Sequence, residues 1–128
     1  MKEGYFIENS TYEIKEIMSA LYKSWSLKSS TKWSEDNPAA GQCGVTALVV
    51  NDLLGGEIKK TKLQNGWHFY NVLNGTRYDF TESQFTETVE YMDQSSSREE
   101  AFSDTNDSQY SYLKQQFYLY LHRNNYEK

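Results

Sequence analysis

The sequence predicts an α+β fold, in which a helix carrying a cysteine at its N-terminus packs on a small antiparallel β-meander, with further helices flanking it at both ends of the chain. Two observations carry this. Apolar residues recur at helical spacing over 14–25, 43–54 and after 108, and two Asn-Gly turns divide residues 57–80 into three short alternating runs. Helices gathered around one antiparallel meander make an α+β arrangement rather than an alternating α/β one.

The elements follow in order. Ser10 and Glu13 have the Ser-x-x-Glu spacing of a capping box. Ile14, Ile17, Met18, Leu21, Tyr22 and Trp25 then mark a helix that should end near Ser26. Residues 27–42 are polar and longer than an ordinary connection, which points to a functional segment, and Trp33 is a large ring within it. A second helix runs over 43–54, with Ala47, Leu48, Val50, Leu53 and Leu54 able to face inward. Gly55-Gly56 stops it as a left-handed cap would. Strands are expected over 57–63, 67–73 and 76–80, turned at Gln64-Asn65-Gly66 and Asn74-Gly75. Thr81 can cap a short helical turn through Phe85. Residues 93–108, rich in Ser, Asp, Glu and Asn, read as a mobile or loosely helical excursion. A last helix over 108–124 places Tyr112, Gln116, Leu119 and Tyr120 on one side, with Leu113 and Phe117 adjacent. No internal repeat or boundary divides the chain, so residues 1–128 are expected to form a single domain.

Composition narrows the function classes. At 128 residues the chain can bury one core, and with 38% hydrophobic but 16% aromatic residues that core must lean on large rings. A net charge of −5 and a pI near 5.0 argue against nucleic-acid binding. The one basic run, Lys59-Lys60-Thr61-Lys62, reads as a solvated strand end. A single cysteine makes no internal disulfide, and neither a membrane-spanning apolar run nor a signal-peptide pattern is present. A cytoplasmic protein without membrane attachment is therefore expected. One Cys and two distant His give no metal-ligand spacing, and no glycine loop is suited to phosphate, so no cofactor is expected.

The residues that could carry chemistry centre on Cys43. A thiol attacks as thiolate, and the unpaired amides and dipole of a helix N-terminus favour that anion. Gly41 and Gly44 flank it, allowing a sharp bend and a close approach by substrate. A small buried core side chain is the competing reading. His68 lies in the second strand, where alternation puts His68, Tyr70 and Val72 on one face and Trp67, Phe69, Asn71 and Leu73 on the other. A helix packed on the sheet could bring its N-terminus beside His68, which would then act as base. Otherwise His68 is a satisfied strand histidine. His122, near the end of the last helix, reads as surface. Asp79 on the third strand is the candidate orienter of His68, with pairing expected to place it near Asn71 or Trp67, or else it caps the strand end with Thr81. Asn71 is the second candidate orienter, though it falls on the opposite face. For an oxyanion, donors could come from the Cys43 N–H and from the side chains of Gln42 or Asn37.

The order Cys at a helix start, His on a strand and Asp on the next strand resembles the papain and transglutaminase-like superfamily of thiol enzymes. The wording Trp33 … Asn37-Pro38-Ala39-Ala40-Gly41-Gln42-Cys43 … Thr46-Ala47 … Gly55-Gly56-Glu57-Ile58 … His68-Phe69-Tyr70-Asn71 … Asp79-Phe80-Thr81 … Gln84-Phe85 resembles the YunG-like family of small bacterial proteins. The resemblance covers residues 33–85. It implies Cys43 as nucleophile, His68 as base and Asp79 as orienter, and it bears on fold and triad positions rather than on a substrate. The chain departs from papain proper in lacking a second lobe and in having Gln42 directly before the cysteine. Two functions are thus expected in competition. One is a small cysteine hydrolase or acyltransferase acting on an amide or thioester. The other is a non-catalytic module that binds a protein partner through its aromatic surface, including Trp33.

Overall fold

The computed structural model describes residues 12–126. They form α1 (Ile14–Ser24), α2 (Cys43–Leu54), the strands β1 (Glu57–Leu63), β2 (Gly66–Leu73) and β3 (Thr76–Tyr78), a 3-10 turn (Glu82–Gln84), the short strand β4 (Gln94–Ser95), α3 (Arg98–Phe102) and α4 (Asp107–Tyr126). The sheet is antiparallel, in the order β3-β2-β1-β4. Among the described residues the expected α+β arrangement is therefore present as four helices and one four-stranded sheet.

α1 is closed at its start by Glu13 and Glu16, not by the Ser10 and Glu13 pair. The Glu13 side chain accepts from the third helical amide, and the Glu13 N–H donates to Glu16 Oε1 at 2.8 Å. Ser10 lies outside the described residues. The helix ends at Ser24, and the indole N–H of Trp25 donates to Thr46 Oγ1 at 2.9 Å, fastening α1 to α2. α4 lies along α1, burying Leu113, Phe117 and Leu121 against Ile17 and Leu21. Of the two neighbouring sides expected for this helix, the one spaced by four residues through Phe117 faces the core, while Leu119 on the other is 46% exposed. Both stripes have helical spacing in a tyrosine-rich segment, so only the position of α1 selects between them.

α2 is buried on every side from Cys43 to Val50. Val45 and Val49 join the α1 and α4 core, while Cys43, Ala47 and Leu48 pack with Ile58, Phe69 and Ala101. Phe69 and Asn71 thus face α2, and Asn71 Nδ2 donates to Ala47 O at 3.0 Å. His68 and Tyr70 point to the opposite face, beneath the segment that follows β3. There the Tyr70 hydroxyl donates to Asp93 Oδ1 and accepts the Asp93 N–H, each at 2.8 Å.

Two expectations about the second half of the chain are revised. β3 stops at Tyr78 rather than Phe80, because Asp79 Oδ1 accepts the N–H and the hydroxyl of Thr81 and turns the chain out of the ladder. Residues 93–108 are not a loose excursion. β4 pairs with Lys59 and Lys60 on β1, and α3 is capped by Ser97, whose side chain accepts the Glu100 N–H. Arg98 then ties α3 to α2 through Asp52 at 3.0 Å and Asn51 at 2.9 Å. Polar composition hid these elements because their anchoring is by ion pairs and caps rather than by apolar periodicity.

The α1–α4 packing yields a stability test. Phe117→Ala is expected to lower the unfolding free energy by about 3–5 kcal/mol, measured by urea denaturation. Leu119→Ala should change it by less than about 0.5 kcal/mol. Equal losses at the two positions would contradict the buried stripe described above.

Candidate active site

The site begins at the turn into α2. Gly41 has φ +71°, and a Cβ there would lie 2.4 Å from Ser30 Oγ and 2.9 Å from Lys32 Cβ, so only glycine allows this entry. Cys43 is the first residue of α2 and is 9% exposed. Its thiol donates to Asp104 Oδ2 at 3.6 Å, and the same oxygen accepts the Gly44 N–H at 3.2 Å. A Cβ on Gly44 would stand 2.7 Å from both Ala101 O and Asp104 Cβ. The second flanking glycine therefore makes room for the chain's own segment after α3.

This arrangement reverses the expected electrostatics of the thiol. Burial, followed by the negative charge of Asp104, pushes Cys43 up to about 12 from its ordinary 9.0. The helix N-terminus does favour an anion, but Asp104 already supplies one. Burial also raises the Asp104 carboxyl above its usual range, against the thiol and the Gly44 N–H, which favour its charged form.

His68 and Asp79 meet directly. His68 Nε2 lies 2.7 Å from Asp79 Oδ2, with both side chains almost wholly buried. Tyr78 pairs with Asn71, so Asp79 comes just past the ladder instead of opposite Asn71 or Trp67. Beyond its contacts with Thr81, Asp79 accepts the Tyr91 hydroxyl at 2.7 Å, and the Arg77 guanidinium covers the Tyr91 ring at 3.8 Å. A carboxylate holding Nε2 keeps the proton of a neutral imidazole there, which leaves Nδ1 as the bare acceptor. That nitrogen is buried and has no hydrogen-bond partner among the described residues. The Phe85 ring meets the imidazole edge-on, with centroids 4.9 Å apart.

Cys43 and His68 line one cleft of about 770 Å³ together with Trp67, Gln84, Phe85 and Asp104. No hydrogen bond joins the thiol to His68 Nδ1, since the thiol is turned to Asp104. The remaining sequence candidates lie elsewhere. Asn71 faces α2, so its amide holds Ala47 O and not His68. Gln42 is fully buried, and its amide is absent from the lining of the cleft. Trp33 packs against the core of α1, α2 and α4. Asn37 Nδ2 donates to Gln84 O at 3.2 Å, and the Gly41 N–H donates to Gln84 Oε1 at 3.4 Å. Those contacts fix Gln84 beside the cleft, with its Nε2 buried and without a hydrogen-bond partner among the described residues.

Three residues of the site escaped the sequence reading: Asp104, Gln84 and Tyr91. Gln84-Phe85 stood within the family-like wording, which was the available signal for Gln84. Asp104 and Tyr91 lie in polar segments without periodicity, and nothing local distinguishes them. Among the described residues no group of three or more His, Cys, Asp or Glu could hold a metal ion, and no helix is long and apolar enough to cross a membrane.

A family profile described as YunG protein matches residues 13–122. A curated relative from Bacillus subtilis (strain 168), described as "Uncharacterized protein YunG", is 56% identical over 97 residues, covering 76% of this chain and 84% of its own length. No solved structure matches.

A thiol held at about 12 has only about one ten-thousandth of its population as thiolate near pH 8. Alkylation of the folded protein by iodoacetamide should therefore be slow near pH 8 and climb about tenfold per pH unit through about pH 10. Intact-mass measurement on quenched aliquots follows it. A plateau reached below about pH 9 would show that the thiol is not held protonated.

Proposed function

The chain belongs to the YunG family, and from that premise we propose that it is a small cysteine hydrolase or acyltransferase acting on an amide or thioester. Cys43 is the nucleophile, His68 the base and Asp79 its orienter. The observation that carries this reading is the unpartnered Nδ1 of His68. A buried polar nitrogen without a partner is costly, and such exceptions concentrate where a group must be free to act. Here it belongs to an imidazole fixed by a carboxylate on its far side and lining the cleft that holds the only thiol. On this reading the fold is a reduced version of the papain and transglutaminase-like architecture.

In the proposed reaction His68 Nδ1 takes the Cys43 proton as sulfur attacks the acyl carbon. The carbonyl oxygen becomes an oxyanion that accepts the Cys43 and Gly44 N–H groups at the start of α2 and the Gln84 amide. His68 then returns the proton to the departing amine or thiolate, leaving an acyl group on Cys43. Water or an amine attacks that thioester, giving its proton to Nδ1, and the thiol is restored as the product acid or amide leaves. Asp79, held by Thr81 and Tyr91, keeps the imidazole in the required tautomer throughout.

A second reading has its own observation. Trp67 is 39% exposed at the cleft, with the Lys60 and Lys62 ammonium groups 4.3 Å and 5.1 Å from its ring centroid, while Cys43 is nearly sealed. That surface suits a binding module that retains the thiol fold without turnover.

The two readings separate in one experiment. The protein is incubated with p-nitrophenyl esters and acyl thioesters, and acyl-Cys43 is sought by intact-mass and peptide mapping. Acylation that vanishes in Cys43→Ser and slows by about 10²-fold or more in His68→Ala is the expected result. Failure of every ester and thioester to acylate either the wild type or Asp104→Ala would overturn the enzymatic reading in favour of the binding module.

A further inference from the structure

We infer that Asp104 is an internal plug of the thiol site: its carboxylate occupies the place of the substrate's carbonyl oxygen, so the chain rests in a self-inhibited state and an acyl substrate must displace it. This inference rests on the thiol reading of the cleft and adds its regulation.

The geometry supplies the argument. An acyl group attacked by Cys43 must put its oxygen near the first amides of α2, beside the sulfur. Asp104 Oδ2 is there already, taking the Gly44 N–H at 3.2 Å and the thiol proton at 3.6 Å. The fit is close enough that Gly44 has no room for a methyl group. A substrate therefore has no space at this amide until Asp104 leaves. The rest of the proposed machinery is idle: among the described residues, Nδ1 of His68 and Nε2 of Gln84 are both buried without partners. Only the thiol is engaged, and it is engaged with the wrong acceptor for catalysis.

The plug is carried on a segment that can release it without unfolding the domain. α3 is anchored by Arg98 to Asp52 and by Lys60 to Glu100 at 2.9 Å. Asp104 lies beyond α3, in the short turn before α4, where its own N–H donates to Ala101 O at 3.1 Å. Rotation of that turn moves the carboxylate while Arg98 and Glu100 keep α3 on the sheet. A carboxylic acid product would present the same acceptor as Asp104, so product and plug compete for one position. Desolvation of Asp104, which raises its carboxyl, also favours release of the charged group to solvent.

The test compares the wild type with Asp104→Asn and Asp104→Ala, following iodoacetamide alkylation of Cys43 near pH 8 and thermal unfolding in parallel. Asn keeps an oxygen for the Gly44 N–H but removes the charge, whereas Ala removes both. A plug predicts alkylation faster by about tenfold or more in Asp104→Ala, which uncovers the sulfur and the Gly44 N–H, and a much smaller gain in Asp104→Asn, whose amide still covers both. Equal gains in the two variants would reduce Asp104 to an electrostatic neighbour and overturn the inference, as would an unchanged rate in Asp104→Ala. Asp104→Ser, too short to bridge Gly44 and the thiol, takes the place of Ala if that variant loses cooperative unfolding. Alkylation needs no turnover, so the comparison is repeated with His68→Ala. A gain that persists there while no acyl-enzyme ever forms keeps the plug and removes the catalytic reading.

Discussion

The burial of α2 on every side from Cys43 to Val50 is the constraint from which the rest of the site follows. A helical stretch that is apolar on all sides must be covered on all sides, and here α1 and α4 take one flank of Cys43–Val50, the sheet another, and α3 a third. Covering the first turn brings the segment after α3 onto Gly44, and with it the carboxylate of Asp104. The same burial that completes the core thus desolvates the thiol and sets an anion against it. A helix N-terminus left open to solvent would have favoured the thiolate. This one is closed.

The second organising contact is the His68–Asp79 pair, which joins the far face of β2 to the chain leaving β3. Asp79 is held at four points, by His68, Tyr91 and both donors of Thr81. A carboxylate so engaged has little freedom, and it transmits that rigidity to the imidazole. The expected alternatives for Asp79, strand-end cap and orienter of His68, turn out to be compatible. One oxygen caps the turn through Thr81 and the other meets the ring.

Much of this was legible because it is local. Turn chemistry at Asn65-Gly66 and Asn74-Gly75 marked the strands, Gly55-Gly56 marked the end of α2, and alternation along β2 separated His68 from Asn71 correctly. Local sequence left the outcome open where two patterns were equally good, and misled where no pattern exists. The α4 stripe is of the first kind, since residues 112, 116 and 119 are as helical in spacing as 113, 117 and 121. The α3 segment is of the second kind: Arg98 and Glu100 find their partners 46 and 40 residues away, at Asp52 and Lys60, and no periodicity encodes such a pairing.

The cysteine itself shows where the division falls. The sequence alone determined that Cys43 would open a helix, that a histidine would face away from Asn71, and that an aspartate would follow within reach of it. These depend on capping, alternation and turn type, each a property of a few neighbouring residues. The protonation of the thiol depends on what covers the helix end. Asp104 is 61 residues from Cys43, and only the packing of α3 brings it there. Local sequence chose the position of the thiol, and tertiary packing chose its charge, because desolvation and a neighbouring carboxylate act through space.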